Sequence, residues 1–183
     1  MKNKIEKVAV LGAGTMGAQI AGHLANAGIP SCLFDISQEL AENGVGMLTS
    51  LKPAPLYKPK NASLIEACNY DDHLEKIKDA DWIVEAVAEN LDIKHQVYTN
   101  IAEYIKSYAI ISSNTSGIPL GDLTQVMSDD VKSRFLITHF FNPPRYMRLL
   151  ELVKGPDTAD DIYNDMSIFG EDILGKGLSL IHI

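Results

Sequence analysis

Cysteine is scarce in this chain of 183 residues, which contains only Cys32 and Cys68. Two cysteines are too few for a disulfide scaffold, and their spacing along the sequence matches no common metal-binding motif. Such scarcity is typical of proteins that work in a reducing compartment. We therefore expect a cytoplasmic protein without a metal centre.

Long apolar runs are also missing. A membrane-spanning helix requires about 18 or more consecutive apolar residues, and no segment approaches that length. The apolar stretch that begins at Val8 is interrupted by Gln19, His23 and Asn26, so it is a poor match to a secretory signal peptide. The sequence predicts neither a membrane span nor export.

Positive charge is in deficit, since 16 lysines and arginines face 24 aspartates and glutamates, giving a net charge of −8. This balance argues against nucleic acid or an anionic membrane as a partner, because both favour a basic surface. Hydrophobic residues make up 46% of the chain and charged residues 22%, which is ordinary for a globular protein. The composition and length predict one folded domain.

Short apolar runs alternate with segments of helical periodicity along most of the chain. Strands are predicted at 5–11, 31–35, 82–87, 109–112, 135–139 and 149–153. Helices are predicted at 15–27, 38–51, 74–80, 91–106, 121–127 and 160–174. The proline-containing stretch 52–63 is predicted to be a loop. This alternation is typical of an α/β fold with a doubly wound, mostly parallel sheet.

The first predicted strand leads into a glycine-rich turn with the sequence GAGTMG at residues 12–17. A G-x-G-x-x-G motif between a strand and a helix is the fingerprint of dinucleotide binding. Gly12 would allow the tight turn, Gly14 would let backbone N–H groups approach a pyrophosphate, and Gly17 would let the helix pack closely. Together with Thr15 and Met16, these glycines are the candidate residues for binding the cofactor diphosphate.

Asp35 closes the second predicted strand, where an acidic residue typically accepts hydrogen bonds from the adenosine ribose. The next three residues, Ile36 to Gln38, carry no positive charge that could offset a 2′-phosphate. The pattern therefore favours NAD over NADP. An ordinary strand–helix turn beside a solvated aspartate is the alternative. FAD also binds such folds, so the fingerprint alone does not define a reaction.

Further polar side chains follow the carboxyl ends of the later strands, where ligands bind in doubly wound sheets. They are Glu85, Glu89, Asn114, Thr115, Ser116, His139 and Asn142. The imidazole of His139 can accept and return a proton near neutral pH, and Glu151 is a carboxylate within an apolar strand that needs a partner. Residue type alone also allows a structural histidine and a glutamate that faces water. Ser116 and Asn142 are equally compatible with ordinary turns.

Four longer segments are more distinctive than the glycine fingerprint. They are VAVLGAGTMGAQIA (8–21), DADWIVEAVAENLDIK (79–94), SSNTSG (112–117) and THFFNPPRYMRLLELV (138–153). Together they resemble the NAD-binding domain of 3-hydroxyacyl-CoA dehydrogenases. The last segment, with KPAPL at residues 52–56, is most similar to the long bacterial members that also carry an enoyl-CoA hydratase region.

This resemblance implies a Rossmann-type fold, an acyl-CoA substrate and NAD as cofactor. The implied reaction is oxidation of a (3S)-hydroxyacyl-CoA to the 3-ketoacyl-CoA in fatty-acid β-oxidation. By motif, His139 corresponds to the catalytic base and Glu151 to its carboxylate partner. Ser116 corresponds to the residue that contacts the substrate hydroxyl and the nicotinamide end, and Asn142 lies near the nicotinamide ribose. Glu89 and Lys94 correspond to further cofactor contacts.

The resemblance ends near Gly177. The family continues there with a strand, an active-site asparagine and a helical domain for substrate and dimer contacts, whereas this chain ends in LSLIHI. We expect residues 1–178 to be the NAD-binding domain and 179–183 an atypical tail of truncated or foreign origin. The helical domain would be absent, and with it the contacts for a homo-oligomer. The alternatives are a catalytically incomplete NAD-binding fragment and a Rossmann dehydrogenase for another small hydroxy acid.

Overall fold

A single eight-stranded sheet forms the centre of the computed structural model, which describes residues 4–182 without the side chain of His182. The strands are β1 (Val8–Leu11), β2 (Ser31–Asp35), β3 (Ile65–Asn69), β4 (Trp82–Glu85), β5 (Ile110–Ser113), β6 (Phe135–Phe140), β7 (Leu149–Lys154) and β8 (Gly177–His182). Their order across the sheet is β3-β2-β1-β4-β5-β6-β7-β8. Neighbouring strands are parallel except for the antiparallel pair β6 and β7. The predicted doubly wound α/β architecture is confirmed.

The connections between the strands are mostly helical. The α-helices are α1 (Thr15–Asn26), α2 (Gln38–Met47), α3 (Tyr70–His73), α4 (Leu91–Ile101), α5 (Leu120–Leu123), α6 (Asp129–Lys132) and α7 (Asp160–Ile168). Four 3₁₀ turns occupy Pro59–Leu64, Leu74–Asp79, Ala102–Tyr104 and Thr124–Val126, and a π-helical turn occupies Phe169–Ile173. No helix within the described residues is both long and apolar enough to cross a bilayer.

Local sequence explains where the main helices begin and end. The side chain of Ser37 accepts a hydrogen bond from the N–H of Leu40 at the start of α2, and Asn90 does the same for Ile93 at the start of α4. After α1 the chain reverses at Gly28, whose φ of 80° is readily adopted only by glycine. These capping residues fix the point at which each helix leaves or enters the sheet.

Helices cover both faces of the sheet, which explains why β1 is a continuous apolar run. Val8 and Val10 pack into the core on the side of α1 and α7, whereas Ala9 and Leu11 pack into the core on the side of α4. All four side chains are fully buried. A parallel strand buried on both faces needs this kind of sequence.

The structure adds two strands that the sequence did not predict, at the two edges of the described sheet. In β3 the exposed Glu66 interrupts the buried residues, so the segment lacks a continuous apolar run. β8 includes residues 179–182 of the predicted atypical tail and pairs in parallel with β7. Predicted helices 91–106 and 160–174 instead end in a 3₁₀ turn and a π-helical turn.

His23 is a buried histidine on α1 whose Nε2 lies 3.1 Å from the carbonyl oxygen of Leu174. Burial, together with repulsion by the Lys176 ammonium, lowers the pKa of His23 to about 4, against a smaller opposing effect of that hydrogen bond. Its Nδ1 has no hydrogen-bond partner among the described residues. The native state therefore holds a neutral imidazole.

The buried neutral His23 predicts acid sensitivity. Between the ordinary pKa of about 6.5 and the folded pKa of about 4, the unfolded chain binds a proton that the folded chain does not, so stability falls as pH falls. From pH 7 to pH 5 this histidine should lower the free energy of unfolding by about 2 kcal/mol. Urea unfolding of the wild type and of His23→Gln at both pH values measures the difference. Equal pH dependence of the two proteins would contradict the prediction.

Candidate active site

The glycine-rich turn between β1 and α1 has the shape that an anion site needs. Gly12 has φ of 103°, and a Cβ there would lie 2.7 Å from the carbonyl oxygen of Ala86. A Cβ on Gly17 would lie 1.8 Å from the carbonyl oxygen of Gly12. A Cβ on Gly14 would meet open space, so the backbone at this position is accessible to a ligand. The helix then begins at Thr15 without a side-chain cap, and the first N–H groups of a helix have no partner within it, which suits an anion.

Asp35, at the end of β2, ties the glycine-rich turn to the neighbouring strand. Its Oδ2 accepts a hydrogen bond of 2.7 Å from the N–H of Ala13, and its Oδ1 accepts one of 2.8 Å from the N–H of Ile36. Each carboxylate oxygen can accept a second hydrogen bond. The side chain is therefore held in place while it keeps the capacity to bind two ribose hydroxyls.

A cavity of about 290 Å³ opens beside Asp35 and the glycine-rich turn. Most of its lining is apolar. The lining residues are Gly12, Gly14, Asp35, Ile36, Tyr70, Ala86, Val87, Ala88, Ile93 and Val97. The apolar cleft suits a nucleotide base, the carboxylate suits a ribose, and the exposed backbone N–H groups suit a diphosphate. The residues present therefore fit a dinucleotide.

Glu85, the last residue of β4, is fully buried and holds the centre of a polar network. Its Oε1 accepts hydrogen bonds from the ammonium of Lys94 at 2.7 Å and the N–H of Val87 at 2.8 Å. Its Oε2 accepts from the hydroxyls of Tyr98 at 2.9 Å and Ser113 at 2.6 Å. The network joins β4, β5 and α4 beneath the site. In the sequence, this network was indicated only by a glutamate at the end of an apolar strand.

Glu89 extends this network to the loop that follows β5. Its Oε1 accepts hydrogen bonds from the Thr115 hydroxyl at 2.5 Å and from the N–H groups of Ser116 at 3.0 Å and Gly117 at 3.2 Å. Burial raises the pKa of Glu89, but these hydrogen bonds and the nearby Lys94 ammonium outweigh burial and hold the pKa below its ordinary value. Glu89 is therefore a carboxylate that fixes the position of Ser116.

Lys94 lies beneath the surface, with its side chain only 1% exposed. Its ammonium is 2.7 Å from Glu85 and 3.3 Å from Glu89. The contacts that the structure shows for Lys94 and Glu89 are thus with the protein itself. Their direct contact with a cofactor stays a prediction.

Ser116, His139 and Glu151 lie in one hydrogen-bonded row at the carboxyl ends of β5 and β6. The Oγ of Ser116 is 3.1 Å from Nε2 of His139, and Nδ1 of His139 is 2.8 Å from Oε2 of Glu151. The antiparallel pairing of β6 and β7 sets His139 directly opposite Glu151. When Nδ1–H donates a hydrogen bond to the carboxylate, Nε2 is left unprotonated and can accept a proton. The predicted pairing of the histidine with the glutamate is present in the structure.

His139 and Glu151 are both accessible from solvent, with side chains 18% and 30% exposed. They line a cavity of about 190 Å³ together with Ser116. The remaining lining residues are Thr115, Gly117, Ile118, Pro119, Leu120, Ile137 and Val153. A small substrate group can therefore reach the imidazole. The arrangement can move one proton to or from a bound hydroxyl.

Asn142 lies beside α1, at the same edge of the sheet as the glycine-rich turn. Its Oδ1 accepts a hydrogen bond of 3.1 Å from the amide of Gln19. The neighbouring Asn114 accepts a hydrogen bond of 2.8 Å from the N–H of Phe140 and so fixes the segment that carries His139. Asn114 was among the polar residues predicted at the strand ends, whereas Gln19 had no assigned role because its contact depends on the packing of a distant segment.

The family model and two curated relatives that match this chain name the same family. The family described as 3-hydroxyacyl-CoA dehydrogenase, NAD binding domain, matches residues 7–179. A Bacillus subtilis protein named "Probable 3-hydroxyacyl-CoA dehydrogenase" is 43% identical over 199 residues, which cover 97% of this chain and 25% of the relative. A Deinococcus radiodurans protein of the same name is 46% identical over 182 residues, which cover 96% of this chain and 53% of the relative. The chain spans between a quarter and about half the length of these curated relatives.

Solved structures agree with the sequence comparison. The crystal structure of (S)-3-hydroxybutyryl-CoA dehydrogenase from Ralstonia eutropha matches with a TM-score of 0.86 and 30% sequence identity. The match covers 98% of this chain and 64% of that chain. The predicted Rossmann-type fold is thereby confirmed, and the matching family identifies NAD as the cofactor, as the sequence predicts.

Proposed function

Since this chain belongs to the 3-hydroxyacyl-CoA dehydrogenase family and forms its NAD-binding domain, we propose that it oxidises (3S)-hydroxyacyl-CoA to 3-ketoacyl-CoA with hydride transfer to NAD⁺. The observation that carries the proposal is the row formed by Ser116, His139 and Glu151 at the edge of the sheet that also bears the glycine-rich turn. These three residues would place a proton acceptor next to the hydroxyl of an alcohol whose carbon gives its hydride to the cofactor.

The chemistry of the reaction explains why each residue of the row is needed. An alcohol gives up a hydride readily only if its hydroxyl proton leaves as well. Ser116 Oγ would hold the substrate hydroxyl oxygen, and Nε2 of His139 would take the proton. Glu151 would orient the imidazole and stabilise the imidazolium that forms. NAD⁺, when bound, supplies the hydride acceptor.

The residues that would hold NAD follow from the geometry of the first half of the sheet. The N–H groups around Gly14 and the N-terminus of α1 would bind the diphosphate. Asp35 would accept hydrogen bonds from the adenosine ribose, and the apolar cavity lined by Ile36 and Ile93 would take the adenine. Asn142, next to α1, would lie at the nicotinamide ribose.

We place the reaction in fatty-acid β-oxidation, because oxidation of the carbon β to a thioester carbonyl is the chemistry of that pathway. The near absence of cysteine favours the cytoplasm as the compartment. The acyl-CoA would enter the cavity beside His139. Assembly into an oligomer stays a prediction.

The proposed activity can be tested in the reverse direction, with acetoacetyl-CoA and NADH. We expect oxidation of NADH, followed by its absorbance, that depends on acetoacetyl-CoA and is far slower with free acetoacetate. Binding of NADH measured by calorimetry without any turnover would overturn the proposal for this chain and support the catalytically incomplete fragment. Faster turnover of a small keto acid without CoA would instead support a dehydrogenase of another class.

Asp35 gives a separate prediction about cofactor choice. Replacing it with asparagine keeps an oxygen acceptor but removes the negative charge that would repel a 2′-phosphate. We expect Asp35→Asn to reduce the preference for NAD over NADP by about 10- to 100-fold, the effect of one partly screened charge at close range. Titration of both cofactors against wild type and variant measures the ratio of the dissociation constants. An unchanged ratio would show that Asp35 does not face the 2′ position.

A further inference from the structure

The two cysteines of the chain, which are distant in sequence, meet on one face of the sheet. In the parallel pairing of β2 with β3, Cys32 lies opposite Glu66, and Phe34 lies opposite Cys68. Cys32, Glu66 and Cys68 therefore point to the same side. Their sulfur and carboxylate oxygen atoms all lie within 4.8 Å of one another, and Sγ of Cys32 is 3.8 Å from Oε2 of Glu66.

We propose that Cys32, Cys68 and Glu66 form a binding site for a soft divalent cation such as Zn²⁺. The donor set consists of two thiolates and one carboxylate, which zinc prefers among the common divalent cations. Donors at about 2.0–2.3 Å from a tetrahedral zinc ion lie roughly 3.5–4 Å from one another. The distance of 3.8 Å between Cys32 and Glu66 matches that value and the other pairs lie within 4.8 Å, so small side-chain movements would complete the coordination.

The ion pair between Lys76 and Glu66 supplies the charge balance that such a site would need. A divalent cation with three anionic ligands carries a net charge of −1, which the Lys76 ammonium beside Glu66 neutralises.

Access to the cluster is provided by an open cavity of about 490 Å³. Cys32 and Glu66 line it, together with Lys7, Pro30, Ser31, Ser63, Leu64 and Ile65. None of these residues lines the cavity beside Asp35. The proposed metal site is thus separate from the dinucleotide site, and the inference does not depend on the proposed dehydrogenase activity.

A disulfide between Cys32 and Cys68 fits the strand geometry less well. The two residues are diagonal neighbours on adjacent parallel strands, offset by two positions. A strand spacing of about 4.8 Å and a rise of about 3.3 Å per residue place such Cα atoms roughly 8 Å apart. Disulfides require less than about 7 Å, so the strands would have to move.

The site can be tested on the 183-residue chain, without an affinity tag and with a phosphine reductant, by titration with Cd²⁺ and Zn²⁺. We expect one equivalent of Cd²⁺ to produce thiolate-to-cadmium charge-transfer absorption in the ultraviolet. We also expect Zn²⁺ to raise the temperature of unfolding. Cys32→Ser and Cys68→Ser should abolish both effects. An absent absorption band, or an equal band in Cys68→Ser, would overturn the proposal.

A carboxylate variant tests the site without disturbing the buried thiols. Even residues that only support a metal ligand contribute about 10–100-fold to metal affinity, so Glu66→Gln should weaken Zn²⁺ binding by at least roughly tenfold against a competing chelator. Glu75→Gln is the matched control, because Glu75 is also an exposed carboxylate paired with a lysine, Lys78. Equal Zn²⁺ affinity of the two variants, or a disulfide found by mass spectrometry in the purified wild type in place of metal binding, would contradict the assignment.

Discussion

Replacing His139 with glutamine is expected to lower kcat for the proposed NAD-dependent reaction by about 10²–10⁴-fold, the usual contribution of a general base. Glutamine can occupy the space and still contact Ser116, but it cannot accept the substrate proton. Nδ1 of His139 contacts Glu151 at 2.8 Å, which leaves Nε2 as the basic nitrogen, 3.1 Å from Oγ of Ser116. The glutamine variant has no basic nitrogen at this position. Steady-state turnover of acetoacetyl-CoA with NADH measures the loss.

The interpretation of His139→Gln depends on two controls. NADH affinity should remain close to that of the wild type, because the imidazole is placed at the reacting hydroxyl and not at the diphosphate. His95→Gln should keep full turnover, since His95 is also half-buried but bonds the carbonyl oxygen of Asp122, and neither residue lines the cavity beside His139. Full turnover in His139→Gln would refute the assignment of the base.

Features that depend on neighbouring residues could be predicted from the sequence. The strand, turn and helix around Gly12 follow from a buried apolar run, a required glycine and helical spacing, and they lie within a few residues of the predicted bounds. The pairing of His139 with Glu151 could also be predicted, because a carboxylate within an apolar strand is costly without a partner. Adjacent strands then bring the two into register.

Features that depend on distant segments could not be predicted in this way. β3 is a short edge strand whose exposed Glu66 breaks the apolar pattern, and β8 is defined by its pairing with β7. Glu85 was predicted as a polar residue at a strand end, but its hydrogen-bond donors, which include Tyr98 and Ser113, lie on two other elements that the sequence did not link to it. The cluster of Cys32 with Cys68 exists only because β2 and β3 pair. In each case tertiary packing, and not local propensity, determines the structure.

Replacing Lys94 with methionine is expected to destabilise the fold by about 3–5 kcal/mol, the usual effect of removing one partner from a buried ion pair. Glu85 would remain fully buried without the ammonium that lies 2.7 Å from its carboxylate. Methionine fills nearly the same space, so the loss would report charge and hydrogen bonding more than packing. Urea unfolding at neutral pH measures the change in the free energy of unfolding.

A double variant separates the unpaired charge from other causes. Glu85→Gln in combination with Lys94→Met removes the buried negative charge, so it should recover part of the stability lost in Lys94→Met alone. Lys78→Met, which breaks an exposed ion pair with Glu75, should change stability little. Because Lys94 also contacts Glu89, which holds the N–H of Ser116, turnover should fall in Lys94→Met even at temperatures where the variant is folded. A folded Lys94→Met variant with wild-type turnover would show that the loop carrying Ser116 keeps its position without this network.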